Sequence, residues 1–125
     1  MSAAPPRILV VDDQHDLRLL IRLSLRALGE VAQAASAEEA LAQLRSAKPD
    51  LLVLDNWLGE GITGLDLCRQ LKDDPAMAGM KIMLLSACGQ QSDIADGLAA
   101  GADHYMIKPF SPEGLVEAAA GLLQR

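Results

Sequence analysis

Short apolar runs and longer amphipathic segments alternate along the chain. The runs are almost continuously aliphatic, which is typical of strands buried on both faces of a sheet. They predict five strands: Arg7–Asp12, Glu30–Ala34, Leu51–Asp55, Lys81–Ser86 and His104–Ile107. The segments between and after them have helical spacing and predict five helices: Asp16–Leu28, Glu38–Arg45, Leu65–Lys72, Ser92–Ala99 and Pro112–Leu123. This alternation predicts an α/β domain whose parallel sheet is covered by helices on both faces.

Residues at the predicted boundaries agree with this interpretation. Ser36 is followed three residues later by Glu39, which is the signature of a helix capping box. Ser111 precedes a proline, so it is a candidate helix cap followed by proline at the first helical position. Gly29 and Gly101 stand where helices are expected to end.

Length and charge restrict the class of protein. A chain of 125 residues is one domain, and the last predicted helix ends with the chain, so we expect a single domain over residues 1–125 without an effector domain. The net charge of −6 argues against a nucleic-acid partner, whose phosphates would be repelled. The first residues lack the apolar stretch of a signal peptide, and no run approaches the length of a membrane span. We therefore expect a cytoplasmic protein without a membrane partner.

Two other sets of residues do not indicate a site. Cys68 and Cys88 lack the spacing of zinc ligands, so buried or partly buried thiols are expected. Arg18, Arg22 and Arg26 recur every fourth residue, and the expected role of this stripe is a solvated helix face.

Polar residues end four of the predicted strands or follow them directly. They are Asp12, Asp13, Asp55, Ser86 and Lys108. Residues just past the carboxyl ends of parallel strands converge on one crevice. Carboxylates brought together there repel by roughly 4 kcal/mol per pair at an effective dielectric constant of about 20. Such a cluster needs protons, a lysine or a metal, and Mg²⁺ prefers carboxylate, carbonyl and water oxygens.

One of these carboxylates is a candidate nucleophile. Aspartate forms an acyl phosphate when a phosphoryl donor is held in line with it, chiefly through positioning and charge neutralisation. Asp55 is the best candidate because it stands alone on the central strand, with the acidic pair on the neighbouring strand. Ser86 would donate a hydrogen bond to the added group, and Lys108 could offset a further negative charge. The strand ends therefore predict a site for a divalent cation and a phosphoryl group.

The motifs VVDD, LLVLD, MLLSA, GADHY and IKPF, in this order, resemble the receiver domain of bacterial two-component response regulators. The resemblance covers essentially the entire chain. It implies a phosphorelay signalling protein rather than an enzyme, since such a domain catalyses only its own phosphorylation and dephosphorylation. The implied fold is a flavodoxin-like (βα)5 three-layer sandwich with strand order 2-1-3-4-5.

The resemblance also implies a set of site residues. The ligands of Mg²⁺ (or Mn²⁺) would be Asp12, Asp13, Asp55 and the backbone carbonyl of Trp57. Asp55 would accept a phosphoryl group from the phosphohistidine of a sensor histidine kinase or a histidine phosphotransfer protein. Lys108 would contact the phosphate, and the Lys108–Pro109 bond is typically cis in such proteins, although sequence does not show the isomer.

The resemblance further implies how the signal would leave the site. Ser86 and Tyr105 match a switch pair, in which movement of the hydroxyl toward the phosphate lets the aromatic ring turn inward. The change would alter the face formed by helix 4, strand 5 and helix 5, where a downstream protein target would bind. His104 lies on that side and is expected to be a partner-surface residue.

The chain departs from the family in the loop after Asp55. The family usually has a proline after the position of Leu58 and a glycine four positions later. Here Gly59 takes the proline's place, and Gly64 arrives one residue late within GEGITG. We therefore expect a longer and looser loop, and this loop favours one alternative, an interaction module that no longer accepts phosphate.

Two further alternatives are weaker. A hydrolase with aspartyl phosphate chemistry would want a second acid two residues after the nucleophile, where this chain has Trp57. A flavin carrier would need a hydroxyl- and glycine-rich phosphate loop after the first strand, where the acidic sequence DDQHD stands instead.

Overall fold

The computed structural model describes residues 5–59 and 62–124, and the strands of this part pair in parallel in one sheet. The strands are Arg7–Val11 (β1), Glu30–Ala34 (β2), Leu51–Asp55 (β3), Lys81–Ser86 (β4) and His104–Ile107 (β5). The α-helices are His15–Leu25 (α1), Ala37–Ser46 (α2), Gly64–Lys72 (α3), Gln91–Ala99 (α4) and Pro112–Leu123 (α5). A short 3-10 helix, Pro75–Met77, precedes β4 and was not predicted.

The strand order is β2-β1-β3-β4-β5, so the predicted order is confirmed. The strand register aligns the carboxyl ends of the inner strands β1, β3 and β4 and of the edge strand β5. Asp55 is paired with Leu85, and Ser86 is paired with Ile107. As a result, Ser86 and the residues that follow β1, β3 and β5 lie at one edge of the sheet.

Helices cover both faces of the sheet, which confirms the predicted three-layer arrangement. Alternate strand residues point to opposite faces, so that Leu9 belongs to one core and Ile8 to the other. One core joins the sheet to residues of α2 and α3, and the other joins it to residues of α1 and α5. Residues 51–55 of β3 are all buried, whereas the edge strand β2 alternates, because only inner strands are covered on every side.

Some boundaries differ from those predicted. The strand β1 ends at Val11, one residue early, and α1 ends before the turn residues 26–28. Gly101 has a φ of +106° after α4, as a helix-ending glycine does. Gly29 is not among the glycines with a positive φ. Glycine is needed there because a Cβ would collide with the carbonyl oxygen of Pro6.

Two predicted caps are present. Ser36 Oγ accepts a hydrogen bond of 3.2 Å from the backbone amide of Glu39. The Glu39 carboxylate accepts from the amide of Ala35, at 3.1 Å, and so completes the capping arrangement one residue earlier than in a standard box. At α5, Ser111 Oγ accepts from the amide of Gly114 at 3.0 Å.

Candidate functional site

Three carboxylates meet at the carboxyl edge of the sheet. Asp12 and Asp13 follow β1 directly, and Asp55 is the last residue of β3. One oxygen from each side chain lies within 4.8 Å of the other two. Asp12 and Asp55 are only 0% and 3% exposed, whereas Asp13 is exposed to solvent. The cluster is therefore a half-enclosed acidic site with one open side.

Lys108 is the one cationic side chain that pairs with this cluster among residues 5–59 and 62–124. It follows β5, and its Nζ donates a hydrogen bond of 2.7 Å to Asp55 Oδ1 and lies 3.9 Å from Asp12 Oδ2. Its backbone amide donates to the carbonyl of Ser86 at 2.8 Å, which ties β5 to the end of β4. The Lys108–Pro109 peptide bond is cis. One ammonium against three carboxylates leaves an excess of negative charge at the site.

Burial, more than the excess charge, raises the pKa of two carboxyl groups of the site. Burial raises the pKa of Asp12 to about 6, a hydrogen bond from the Gln14 backbone lowers it, and the neighbouring charge of Asp55 raises it further. The pKa of Asp55 is also raised, mainly by burial, although Lys108 opposes the shift. The protein alone therefore does not fully stabilise both charges.

The residues fit a divalent cation. Within the described ranges, Asp12 Oδ2 is a buried oxygen that receives no hydrogen bond. An ionised oxygen in this state is costly unless a cation or a proton compensates it. Three carboxylates with an open side match the oxygen ligands of Mg²⁺, which usually keeps several waters. The observed oxygen set is therefore suited to a small hard cation.

Ser86 and Tyr105, the predicted switch pair, both contact Cys88. Ser86 is 4% exposed, and its Oγ accepts a hydrogen bond of 3.1 Å from the backbone amide of Cys88. The Tyr105 hydroxyl donates a bond of 2.6 Å to the backbone carbonyl of the same residue. One short backbone segment therefore connects the strand end beside Asp55 to the ring of Tyr105.

The loop after β3 is described only in part. The Trp57 indole is 69% exposed and Leu58 is buried. Gly59 has a φ of +84°, a conformation that favours glycine. Glu60 and Gly61, in the middle of GEGITG, lie outside the described residues, so the expectation of a looser loop stays untested. The loop leads to α3, which begins at Gly64.

Several residues of the site were missed or misjudged from the sequence. Arg18 is half-buried rather than solvated, and its Nη1 donates a bond of 2.8 Å to the carbonyl of Asp12. Asn56 Oδ1 accepts a bond of 3.0 Å from the amide of Leu65 and so supports the start of α3. Cys88 is exposed, contrary to expectation, whereas Cys68 is buried. Arg18 also donates from Nε to Gln33 Oε1 at 3.1 Å, but its link to the site, like that of Asn56, is to a backbone group, which carries no sequence signal.

Comparison with known proteins identifies the class that this fold and site define. Residues 8–120 match the family model of the response regulator receiver domain, and the chain belongs to this family. The phosphate regulon transcriptional regulatory protein PhoB of Rhizobium meliloti (strain 1021) is 40% identical over 121 residues, which are 96% of this chain and 53% of PhoB. The DNA-binding response regulator MtrA of Mycolicibacterium smegmatis is 38% identical over 126 residues, which cover 100% of this chain and 54% of MtrA.

A solved structure agrees with this assignment. The BeF3-activated receiver domain of DrrB, a Thermotoga maritima protein, superposes with a TM-score of 0.88 at 29% identity, and the match covers 96% of this chain and 98% of that domain. Fold, family model and relatives therefore agree on a receiver domain of a two-component response regulator.

The relatives also bear on partners and location. The chain spans about half the length of the curated relatives it matches. MtrA is named as a DNA-binding protein, which conflicts with the expectation that no nucleic acid is a partner. The net charge of −6 supports that expectation only for the residues of this chain. No helix in the described part of the chain is both long and apolar enough to cross a bilayer.

Proposed function

We propose that this receiver domain is a phosphorylation switch whose phosphoacceptor is Asp55. The observation that carries the proposal is the position of the Asp55 carboxylate. It is buried, it lies among two other carboxylates, and it is bonded at 2.7 Å to the only ammonium of the site among the described residues. The carboxylates favour the binding of a cation. That cation and the Lys108 ammonium would then stabilise the equatorial oxygens of a phosphoryl group.

Asp12, Asp13 and Asp55, with the backbone carbonyl of Trp57, would hold Mg²⁺ or Mn²⁺. When bound, the cation would neutralise charge on the phosphoryl oxygens during transfer. The donors that support this assignment are the three clustered carboxylate oxygens, one of which is the buried Asp12 Oδ2.

The reaction is a displacement at phosphorus. A carboxylate oxygen of Asp55 forms a bond to the phosphorus of a phosphohistidine, and the phosphorus–nitrogen bond to the donor's imidazole breaks. The donor would be a sensor histidine kinase or a histidine phosphotransfer protein. Lys108 lies within hydrogen-bond distance of the acceptor and would balance the charge that arrives with the phosphoryl group.

The added group would alter partner binding through Ser86 and Tyr105. If Ser86 Oγ turns toward the phosphoryl oxygens, it releases the amide of Cys88, whose carbonyl holds the Tyr105 hydroxyl. The face formed by α4, β5 and α5 would then change, and a downstream protein target would bind there. Exposed apolar side chains on this face, Leu98 and Ile107, support a protein partner.

Mass spectrometry tests the acceptor directly. After incubation with acetyl phosphate and Mg²⁺, the intact wild-type chain should gain the mass of one phosphoryl group, and the Asp55→Asn variant should gain none. Asn keeps the shape of the side chain and removes the nucleophilic carboxylate. A folded, metal-supplied wild-type sample that never gains this mass would contradict the proposal and favour an interaction module without phosphorylation.

The fluorescence of Trp57 gives a second readout that separates metal from phosphate. It is the sole tryptophan, it is 69% exposed, and it lies two residues after Asp55. Its emission should respond to Mg²⁺ and then to acetyl phosphate. Asp55→Asn should lose the second response and keep part of the first.

A further inference from the structure

A glycine stands in the interior of α4, where another residue would be expected. Gly97 is the seventh of the nine residues of this helix and is buried. Glycine is unfavourable relative to alanine in a helix interior, because it loses more conformational freedom on folding. Its φ is not among the positive values found at Gly59, Gly79 and Gly101, so the backbone conformation does not require glycine. A different reason must account for the missing side chain.

That reason is the ring of Tyr105 on the neighbouring strand. A Cβ added to Gly97 would lie 2.6 Å from Tyr105 Cδ2 and 3.0 Å from Cε2. It would also lie 3.4 Å from Leu84 Cδ1, an atom of a fully buried residue of the core that joins the sheet to α2 and α3. A distance of 2.6 Å is shorter than a real Cβ contact, and Leu84 is already in van der Waals contact with the same position, so even an alanine would force the ring to move.

The position of the Tyr105 ring matters because one end packs in the core and the other end makes a hydrogen bond. The ring packs against the core that contains Leu84, and its hydroxyl donates the 2.6 Å bond to the carbonyl of Cys88. The amide of Cys88 in turn donates to Ser86 Oγ at 3.1 Å. A ring displaced from Gly97 would lose its hold on Cys88 and thus its connection to the end of β4.

We propose that Gly97 is a positioning residue for Tyr105, whose absent side chain provides the space in which the ring reaches the Cys88 carbonyl. This inference rests on the proposed switch function, because its consequence is that Gly97 sets whether phosphorylation at Asp55 is transmitted to the α4–β5–α5 face. Gly97 is not among the residues proposed to hold the metal or to contact the phosphoryl group, so the chemistry at Asp55 is expected to proceed without its side-chain position being empty.

The sole tyrosine of the chain makes the test specific. In protein labelled with 3-fluorotyrosine, the single ¹⁹F resonance reports Tyr105 alone. The Gly97→Ala variant should move this resonance by more than its own linewidth in the absence of phosphorylation. The matched control is Gly121→Ala in α5, where an added Cβ has no atom within 4 Å among the described residues. The inference is overturned if both variants leave the resonance where it is in the wild type.

A stability measurement keeps the test decisive if Gly97→Ala perturbs the whole fold. In the wild-type background the substitution should lower the melting temperature. In a Tyr105→Ala background, where the ring is gone, the same substitution should raise it, as Gly121→Ala should in both backgrounds. A decrease of equal size in both backgrounds would show that the ring is not the reason for the glycine.

Phosphorylation then separates this inference from the proposed function. Gly97→Ala should gain the phosphoryl mass at the wild-type rate, but acetyl phosphate should no longer shift its ¹⁹F resonance as it does in the wild type. If the wild type gains no phosphoryl mass, the switch function fails, while the unphosphorylated resonance still decides the role of Gly97. If phosphorylation shifts both proteins alike, Gly97 does not control transmission and the inference is overturned.

Discussion

At the scale of single residues, Asp12 shows that the protein alone does not fully stabilise the negative charge of the site. Its carboxyl group is buried beside Asp55, and within residues 5–59 and 62–124 its Oδ2 receives no hydrogen bond. Burial outweighs the amide bond from Gln14, so its pKa rises from 3.8 to about 6. Between about pH 4 and pH 6 the folded protein therefore holds a proton here that the unfolded chain has already released.

This shift predicts the pH dependence of stability in the metal-free protein. Between about pH 4 and pH 6 the folded state binds more protons at Asp12 than the unfolded state does. The stability that this proton contributes is present below pH 4 and is lost as pH rises through 6, by at most about 3 kcal/mol. Urea denaturation with EDTA across this range should show the decline, measured against Asp12→Asn.

The Asp12→Asn variant serves as the control because an amide does not titrate. Its free energy of unfolding should lack the part of the pH dependence that belongs to Asp12. The raised pKa of Asp55 acts in the same direction and remains in the variant, so the difference between the two proteins is the quantity to compare. Parallel pH profiles for wild type and variant would mean that Asp12 is not protonated in the folded state.

The residues that the sequence could predict differ in kind from those it could not. Asp12, Asp55 and Lys108 could be placed together because each is a polar residue at the end of an apolar run, and parallel strands bring such ends to one edge. Arg18 and Cys88 could not. Arg18 reaches a backbone carbonyl, and Cys88 takes part through its own peptide groups, which any residue type would have.

At the scale of elements, the start of α3 is built tightly against the end of β3. The amide of Gly64 donates to the carbonyl of Asn56 at 2.9 Å, and Asn56 Oδ1 accepts from the amide of Leu65. A Cβ on Gly64 would collide with the carbonyl oxygen of Asp55. Helix and strand therefore meet backbone to backbone beside the proposed phosphoacceptor.

Gly64→Ala should consequently damage both stability and chemistry. The added methyl group has only backbone atoms as neighbours, which cannot rotate aside, so the free energy of unfolding should fall by about 1–3 kcal/mol. Because Asp55 must shift with its own carbonyl, phosphorylation by acetyl phosphate should also slow. Urea denaturation and intact-mass time courses measure the two effects.

Gly121→Ala is again the appropriate comparison, since it adds a methyl group to a helix where no described atom is within 4 Å. It should be neutral or stabilise by up to about 1 kcal/mol through helix propensity, with unchanged phosphorylation. A Gly64→Ala protein as stable and as reactive as this control would show that α3 is free to move away from β3.

Element boundaries were the less predictable part of the fold. The five strands and five helices follow from periodicity, because the change from continuous runs to helical spacing is strong along this chain. The end of α1 does not, since residues 26–28 are compatible with a helix. They form a turn instead, next to the tertiary contacts in which Gly29 lies close to the Pro6 carbonyl and the amide of Glu30 donates to it at 2.9 Å. The 3-10 turn at Pro75 had a local signal, the preceding Asp74, whose Oδ1 accepts from the amide of Ala76 at 2.9 Å.

At the scale of the whole molecule, the acidic site and the stability of the domain are linked. The chain has a net charge of −6, and the site concentrates three carboxylates around one ammonium. The residues of the site and those beside it lie at the carboxyl ends of four strands, β1, β3, β4 and β5. A ligand that binds only where these ends are assembled stabilises the entire fold, because the unfolded chain has no such site.

Mg²⁺ should therefore raise the melting temperature, and chelation by EDTA should reverse the effect. At a concentration 100 times the dissociation constant, the gain in the free energy of unfolding is about 2.7 kcal/mol.

NaCl at matched ionic strength is the control for general screening of the acidic chain. Asp13→Asn changes an exposed side chain that we propose as a metal ligand, outside the core, and should weaken the gain. The gain should also shrink at pH 5, because protons bind Asp12 below its pKa of about 6 and compete with the metal. Equal effects of MgCl2 and NaCl would contradict a metal site at this edge of the sheet.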